Sequence, residues 1–338
     1  MDTLILTTDK NSVLKAGEIL SSGGLVAIPT ETVYGLAANA LDGEAVKKIF
    51  IAKGRPQDNP LIVHISDFAQ IDALVRKRSE LLERLAENFW PGPLTIISQK
   101  SDVVPDEVTC GLDTVAVRFP SSEIARDIIT AAGVPLAAPS ANLSGSPSPT
   151  CFEHCFADLN GRVDAIVNGP RCEVGVESTV ITIVGGRVRL LRPGAVTVEM
   201  LKSVVGEVEI DRAVLNQIEA GARVSSPGMK YKHYSPKAKV VMIEAAAEAF
   251  SEFVQKNSNE KTAAVCFEED TVKGVKVYVW GKKDDHEAQA RLLFDILRQT
   301  DLDGFETVYI HSPERDGLGL AVYNRLIRAA GFEVIRLG

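Results

Sequence analysis

The chain lacks several features that would settle its class early. No apolar run approaches the roughly 18 residues of a membrane span, and the N-terminus has no basic stretch leading into an apolar one. A soluble, cytoplasmic protein with no membrane partner is therefore expected. Cysteine is scarce: Cys110, Cys151, Cys155, Cys172 and Cys266 make an odd set without a secretion signal, so reduced thiols are expected rather than a disulfide framework. Cys151, His154 and Cys155 would share a helix face, but the paired C-x2-C spacing of structural zinc sites is missing. They are read as small buried side chains, with no metal. An excess of positive charge is missing too. Lys+Arg number 37 against 45 Asp+Glu, a net charge of −8, which is a poor footprint for a protein that grips a duplex by its phosphates. Also absent are G-x-x-x-x-G-K-[ST], a strand followed by G-x-G-x-x-G, H-E-x-x-H and G-x-S-x-G. Gly317-Leu-Gly319 precedes a helix pattern without the full spacing.

What is present is a chain of 338 residues, 45% hydrophobic and 24% charged, enough for two packed domains. The first ~200 residues alternate β-branched runs with amphipathic stretches, the pattern of an α/β domain. Strands are predicted at Leu25–Pro29, Pro60–Ile65, Leu94–Ser98, Thr114–Phe119, Val134–Ala138, Thr179–Val184 and Val188–Arg192. Helices are predicted at Ser12–Ser21, Asp42–Lys53, Asp67–Val75, Ser79–Phe89, Ser121–Ala132 and Thr150–Asp158. Asp42, Asp67, Ser121 and Thr150 serve as N-caps, and Glu153 would complete a capping box with Thr150. A second unit from Lys239 onward reads as a small, mostly parallel sheet with helices near Ala245–Lys256, Asp284–Gln299 and Leu318–Ala330. Between the units, Ala222 to Ile243 contains no acidic residue but holds Arg223, Lys230, Lys232, Lys237 and Lys239, with Tyr231, His233 and Tyr234 interleaved. This reads as an extended linker. Residues 1–205 carry 19 basic and 24 acidic residues and residues 206–338 carry 18 and 21, so neither unit is basic. An anion site must come from a few converging side chains.

Candidates stand where strands and helices end, the place where ligands gather in α/β folds. Thr30-Glu-Thr-Val-Tyr-Gly35 follows the first strand, and Lys53-Gly-Arg55-Pro-Gln-Asp-Asn59-Pro-Leu61 follows a helix and feeds the strand that ends at His64. Two cations around a Gly, stiffened by a Pro, suit a polyphosphate; basic residues satisfying a helix C-terminus are the alternative. Arg118 at the end of an apolar strand calls for an anionic partner. Pro139-Ser-Ala-Asn142, Glu177-Ser178-Thr179 and Leu191-Arg192-Pro-Gly194 add hydroxyls and a further cation at strand ends. Singly, each has a turn or capping explanation.

Together these strings carry a resemblance. Pro29-Thr-Glu-Thr-Val-Tyr-Gly-Leu36, the Lys53 to His64 segment, Trp90-Pro-Gly-Pro-Leu-Thr95, Thr114-Val-Ala-Val-Arg118, Pro139-Ser-Ala-Asn142, Val176-Glu-Ser-Thr179 and Leu191-Arg-Pro-Gly194 resemble, in order and spacing over residues 10–205, the threonylcarbamoyl-AMP synthase family of YrdC-like domain proteins. Pro227-Gly-Met-Lys-Tyr-Lys-His-Tyr-Ser-Pro236 and the unit after it are similar to the long, two-domain form.

The resemblance implies a YrdC-like twisted mixed sheet with flanking helices over residues 1–206, a linker over 207–238 that closes over the site, and a smaller Rossmann-like α/β domain over 239–338. It implies synthesis of threonylcarbamoyl-AMP and diphosphate from L-threonine, bicarbonate and ATP, with Mg2+ accompanying ATP. The product would be handed to a transfer complex that modifies position 37 of ANN-decoding tRNAs, with weak or no direct tRNA binding. Carried over residue by residue, Thr32, His64, Arg118, Ala138 and Ser178 would surround threonine. Lys53, Arg55, Asn59, Thr114, Ser140, Asn142, Ser148, Arg192 and Tyr234 would hold ATP, with Lys53 and Arg55 nearest the chemistry. Two other readings compete. The Lys-Tyr-Lys-His-Tyr linker has the cation and aromatic interleaving of an RNA-binding module, which the net charge opposes. Carbamoyl transfer from carbamoyl phosphate would call for accompanying zinc-finger and acylphosphatase segments, and these are missing.

Overall fold

The computed structural model describes residues 2–216 and 234–337. Among these, strands gather in two sheets. The larger runs in the order Leu4–Leu6, Ala165–Val167, Val26–Ile28, Gly35–Asn39, Leu136–Ala137, Ile62–His64, Thr114–Arg118, Leu94–Gln99, Thr179–Val184, Arg187–Arg192 and Val208–Ile210. It is mixed: Val26–Ile28 pairs antiparallel with Gly35–Asn39, while Ile62–His64 pairs parallel with Thr114–Arg118. The smaller sheet is wholly parallel, in the order Lys276–Val279, Thr262–Cys266, Thr307–His311, Lys239–Glu244 and Val334–Arg336. Both units are thus α/β, as the alternating pattern requires. Among the described residues, no helix is long and apolar enough to cross a membrane.

Local chemistry explains most element boundaries. Asp42 accepts from the amides of Glu44 and Ala45 and starts helix Gly43–Lys53, which Gly54 ends in the left-handed conformation at φ 60°. Asp67 and Gln70 form a capping box, although the expected helix breaks into a 3-10 turn, Phe68–Gln70, and a short helix, Ile71–Leu74. Two caps differ from expectation. Ser122, not Ser121, accepts from Ala125 at the start of Glu123–Ala132. The Thr150–Glu153 capping box does not form: helix Phe152–Leu159 begins at Cys151 without a side-chain cap, and the Thr150 hydroxyl donates instead to Asp295 at 3.0 Å. A charged acceptor from the second unit outcompetes the local amide. Strand Gly35–Asn39, built from Gly-Leu-Ala-Ala-Asn, has no β-branched residue to announce it; sheet pairing makes it a strand.

The two units are closely docked. Val33 and Val176 of the first pack in one cluster with Tyr234, Trp280 and Phe294 of the linker end and second unit, and Leu320 of the second unit belongs to the first unit's core. Arg298 grips Asp158 with both terminal nitrogens, at 3.1 and 2.7 Å, and also donates to the carbonyl of Pro147 at 2.5 Å. The segment expected as linker begins inside the first sheet, where Val208–Ile210 pairs parallel with Val188–Leu190. Residues 217–233, which hold Tyr231, Lys232 and His233, lie outside the described residues.

Gly175 lies tight against the second unit. It has φ 81°, and a Cβ there would stand 2.4 Å from the carbonyl oxygen of Ala290. Gly175→Ala is expected to lower stability by about 2–4 kcal/mol, read as a fall in the midpoint of urea denaturation.

Candidate functional site

Strand pairing brings the candidate residues to one place. The chain leaves Val26–Ile28 through Pro29 and turns before returning as Gly35–Asn39. Thr30 organises that turn: its hydroxyl accepts from the amides of Thr32 and Val33, at 3.2 and 3.3 Å, and donates to the Val33 carbonyl at 2.6 Å. Thr32 is left buried, accepting from Arg118 Nη1 at 2.9 Å. His64 and Arg118 are register partners in neighbouring parallel strands, so both emerge at the same end. Arg118 also faces Thr95 across its other neighbour, and the Thr95 and Ser178 hydroxyls meet at 2.7 Å. Arg192 donates through Nε to the Ser178 carbonyl at 3.0 Å and through Nη2 to its hydroxyl at 3.1 Å. Gly194 makes this approach possible, because a Cβ there would fall 2.4 Å from the Thr179 amide nitrogen.

A cavity opens among these groups. Its walls include Thr30, Thr32, Arg55, His64, Arg118, Ala138, Ser140, Glu177, Ser178, Arg192 and Tyr234. All five residues expected around an amino acid (Thr32, His64, Arg118, Ala138 and Ser178) line it, as do four of those expected around a nucleotide (Arg55, Ser140, Arg192 and Tyr234). The others are not among its walls. Lys53, expected at the phosphates, has a buried ammonium that donates to the carbonyls of Ser140 and of Asn142, the latter at 2.6 Å. It braces the Ser140–Asn142 loop. Asn142 donates to the carbonyls of Leu143 and Ser146 at 2.7 and 2.9 Å. Asn59 offers its backbone carbonyl to Arg55 at 3.0 Å, while its own side-chain oxygen is buried without a hydrogen bond. Ser148 donates to Glu177, and Thr114 sits half-buried at the start of its strand.

The electrostatics are those of cations held ready for anions. Arg118 Nη2 forms a buried ion pair with Glu31 Oε1 at 2.8 Å, and Arg118 Nε is buried with no hydrogen-bond partner among the described residues. Burial raises the Glu31 carboxyl pKa, but the Arg118 charge, together with hydrogen bonds from Arg118 and the Ser121 amide, outweighs it and the net shift is downward, so Glu31 is ionised. Burial depresses the Lys53 ammonium well below its usual range, helped by the charge of Arg55. His64 is pushed down to about 3 by burial and then by Arg118, so its imidazole is neutral, with Nδ1 3.2 Å from the Ile62 carbonyl oxygen.

Other residues that build the candidate site escaped the sequence reading. Glu31 and Thr95 sit inside motifs already singled out, and their ionic and hydroxyl roles become visible only through cross-strand neighbours. Arg325, from helix Gly319–Ala329, pairs with Glu177 at 2.9 Å, and nothing in a helical pattern distinguishes it from a solvated cation. The Cys151 and His154 pair expected to be structural meets Asp295 rather than Cys155. Asp295 already accepts from Thr150 and Arg171, so this group ties the units together.

Two family models match the chain: one described as telomere recombination over residues 18–194, the other as threonylcarbamoyl-AMP synthase, C-terminal domain, over residues 196–331. The chain is 44% identical to the threonylcarbamoyl-AMP synthase of Pyrococcus abyssi, covering 95% of each protein. It is 42% identical to that of Bacillus subtilis, covering 98% of this chain and 96% of the relative. The crystal structure of P. abyssi Sua5 complexed with L-threonine superposes with a TM-score of 0.92, at 42% identity over 99% of this chain and 100% of that one.

A histidine that stays neutral in the fold makes stability depend on acid. Between about pH 6.5 and 3 the unfolded chain binds a proton at His64 that the folded chain does not, so its contribution is complete above pH 6.5 and is lost as the pH falls toward 3. His64→Gln is expected to flatten the pH dependence of stability by up to about 1.4 kcal/mol per pH unit in that window, measured by urea denaturation between pH 4 and 7.

Proposed function

The chain belongs to the threonylcarbamoyl-AMP synthase family and is an enzyme of its long, two-domain form; we propose that the cavity at the strand ends is where it joins L-threonine, bicarbonate and ATP into threonylcarbamoyl-AMP and diphosphate. The observation that carries this reading is Arg118 in the cavity wall. Its Nε is buried with no hydrogen-bond partner among the described residues, and its Nη2, 2.8 Å from Glu31 Oε1, lies on the same side, the pair of nitrogens that takes both oxygens of a carboxylate. The amino-acid carboxylate completes them. Thr32, Ala138 and Ser178 enclose the rest of threonine, and His64, being neutral, adds no charge that would hold a second anion.

The nucleotide takes the other half of the cavity, against Arg55, Ser140, Arg192 and Tyr234, with Thr114 at its margin. Lys53, Asn59, Asn142 and Ser148 support these groups from behind as positioning residues. Tyr234 is the described end of the linker, and its place in the cavity wall supports a linker that closes over the nucleotide. The amine of threonine adds to the carbon of bicarbonate with loss of water, giving an N-carboxy species. Its carboxylate oxygen then attacks the α-phosphorus while the bond to the β-phosphate oxygen breaks and diphosphate leaves. Both partners are anions, so the protein's task is to neutralise and align them. A closed site also shields the mixed anhydride from water. ATP arrives as its magnesium chelate. Glu31 and Glu177, the carboxylates at the site, are committed to Arg118 and Arg325, so the ion is left to the phosphate oxygens.

The product serves modification of tRNA by separate transfer proteins. With neither unit basic in composition, this chain is read as passing on a small activated molecule in the cytoplasm rather than gripping tRNA. Diphosphate release from ATP is expected to require both threonine and bicarbonate, and labelled bicarbonate should enter the nucleotide product; release that ignores threonine would sink the reading. Arg118→Lys is expected to weaken threonine binding by about 10–100-fold, since a point charge replaces a fork, while ATP binding by calorimetry changes little.

A further inference from the structure

Every residue of helix Gly319–Ala329 is buried, including three that are polar: Asn324, Arg325 and Arg328. Each reaches out of the second unit. Asn324 donates to the carbonyl of Val214 at 2.5 Å and Arg328 to that of Ala213 at 2.8 Å. Arg325, with no exposed surface, goes deepest: Nε donates to Glu177 Oε2 at 2.9 Å, Nη2 to the Glu177 carbonyl at 3.0 Å and Nη1 to the carbonyl of Pro193. Those acceptors adjoin Ser178 and Arg192, the pair whose own hydrogen bonds shape one wall of the cavity.

We propose that Arg325 is a positioning residue of the synthase reaction, holding Ser178 and Arg192 in place and neutralising Glu177 so that no unpaired carboxylate faces the nucleotide. The inference rests on the reading of the cavity given above. Its physical basis is charge at close quarters. Glu177 lines the cavity, with Ser148 on one oxygen and Arg325 on the other. Without Arg325, this carboxylate would turn its attraction on Arg192 and its repulsion on the incoming phosphates. The same guanidinium also ties together the segments on either side of the Ser178–Arg192 contact, by way of the Glu177 and Pro193 carbonyls. A second unit that only propped up the first would need neither the buried charge nor the fork; apolar packing would serve. The second unit therefore completes the electrostatics of the nucleotide half while leaving Arg118 and Thr32 untouched.

The test is calorimetric titration of the full-length protein with magnesium ATP and, separately, with threonine. Arg325→Gln is expected to weaken ATP binding by about 10–100-fold and threonine binding by less than threefold. Adding Glu177→Gln to it should restore most of the ATP affinity, because the double variant has no unpaired carboxylate. Arg325→Lys keeps the charge without the fork and should fall between wild type and Arg325→Gln, which serves if the glutamine variant does not fold. Equal loss of both ligands in step with a lower Tm, or no recovery in the double variant, would reduce Arg325 to a structural tie and overturn the proposal. Failure of the wild-type protein to bind threonine or ATP would overturn the cavity reading itself, and is seen before any substitution is made.

Discussion

Buried positive charge is the constraint on which this structure turns. Arg118 and Arg192 are almost fully enclosed at the ends of strands, and Arg55 joins them in the same cavity wall. Enclosed guanidinium groups are costly unless paired. The fold pairs them incompletely: among the described residues Arg118 keeps Nε without a hydrogen bond beside its ion pair with Glu31, and the hydrogen bonds of Arg192 go to the neutral oxygens of Ser178. Incomplete pairing leaves capacity for a ligand anion. The large sheet supplies the rigidity that keeps such groups from collapsing onto one another, since each is fixed by the register of a strand.

This view also explains why polar residues near the cavity look inward to the protein rather than toward a substrate. Lys53 is spent on carbonyls of the Ser140–Asn142 loop, and Ser148 on Glu177. They form a layer of contacts that holds the residues lining the cavity in place. The second unit belongs to that layer. Arg298 clamps Asp158 and the Pro147 carbonyl, Asp295 gathers Thr150 and Arg171, and Arg325 reaches Glu177. An acidic chain thus concentrates its useful cations in one place, with the surplus acidity spread over both units.

Much of this was legible in the residues. Strands Thr179–Val184 and Thr114–Arg118 and helix Gly43–Lys53 announce themselves through β-branched runs and through Asp42 and Gly54 at the helix ends. Strand Gly35–Asn39 does not, because small residues carry no β preference and only pairing with Val26–Ile28 selects it. Thr150 misled for a related reason: its neighbours spell a capping box, but Asp295, far along the chain, is the better acceptor.

The sequence by itself determined the α/β class, the two units and the strand-end residues from which the cavity is made, because these follow from periodicity, turn chemistry and motifs that are local. Only the tertiary structure decided which of those residues line the cavity and which brace it. The orientation of Lys53, the placing of Arg118 and the arrival of Arg325 at Glu177 depend on partners 87, 86 and 148 residues away, in the contacts Lys53–Ser140, Arg118–Thr32 and Arg325–Glu177. Charge pairing acts through space, and no local pattern encodes it.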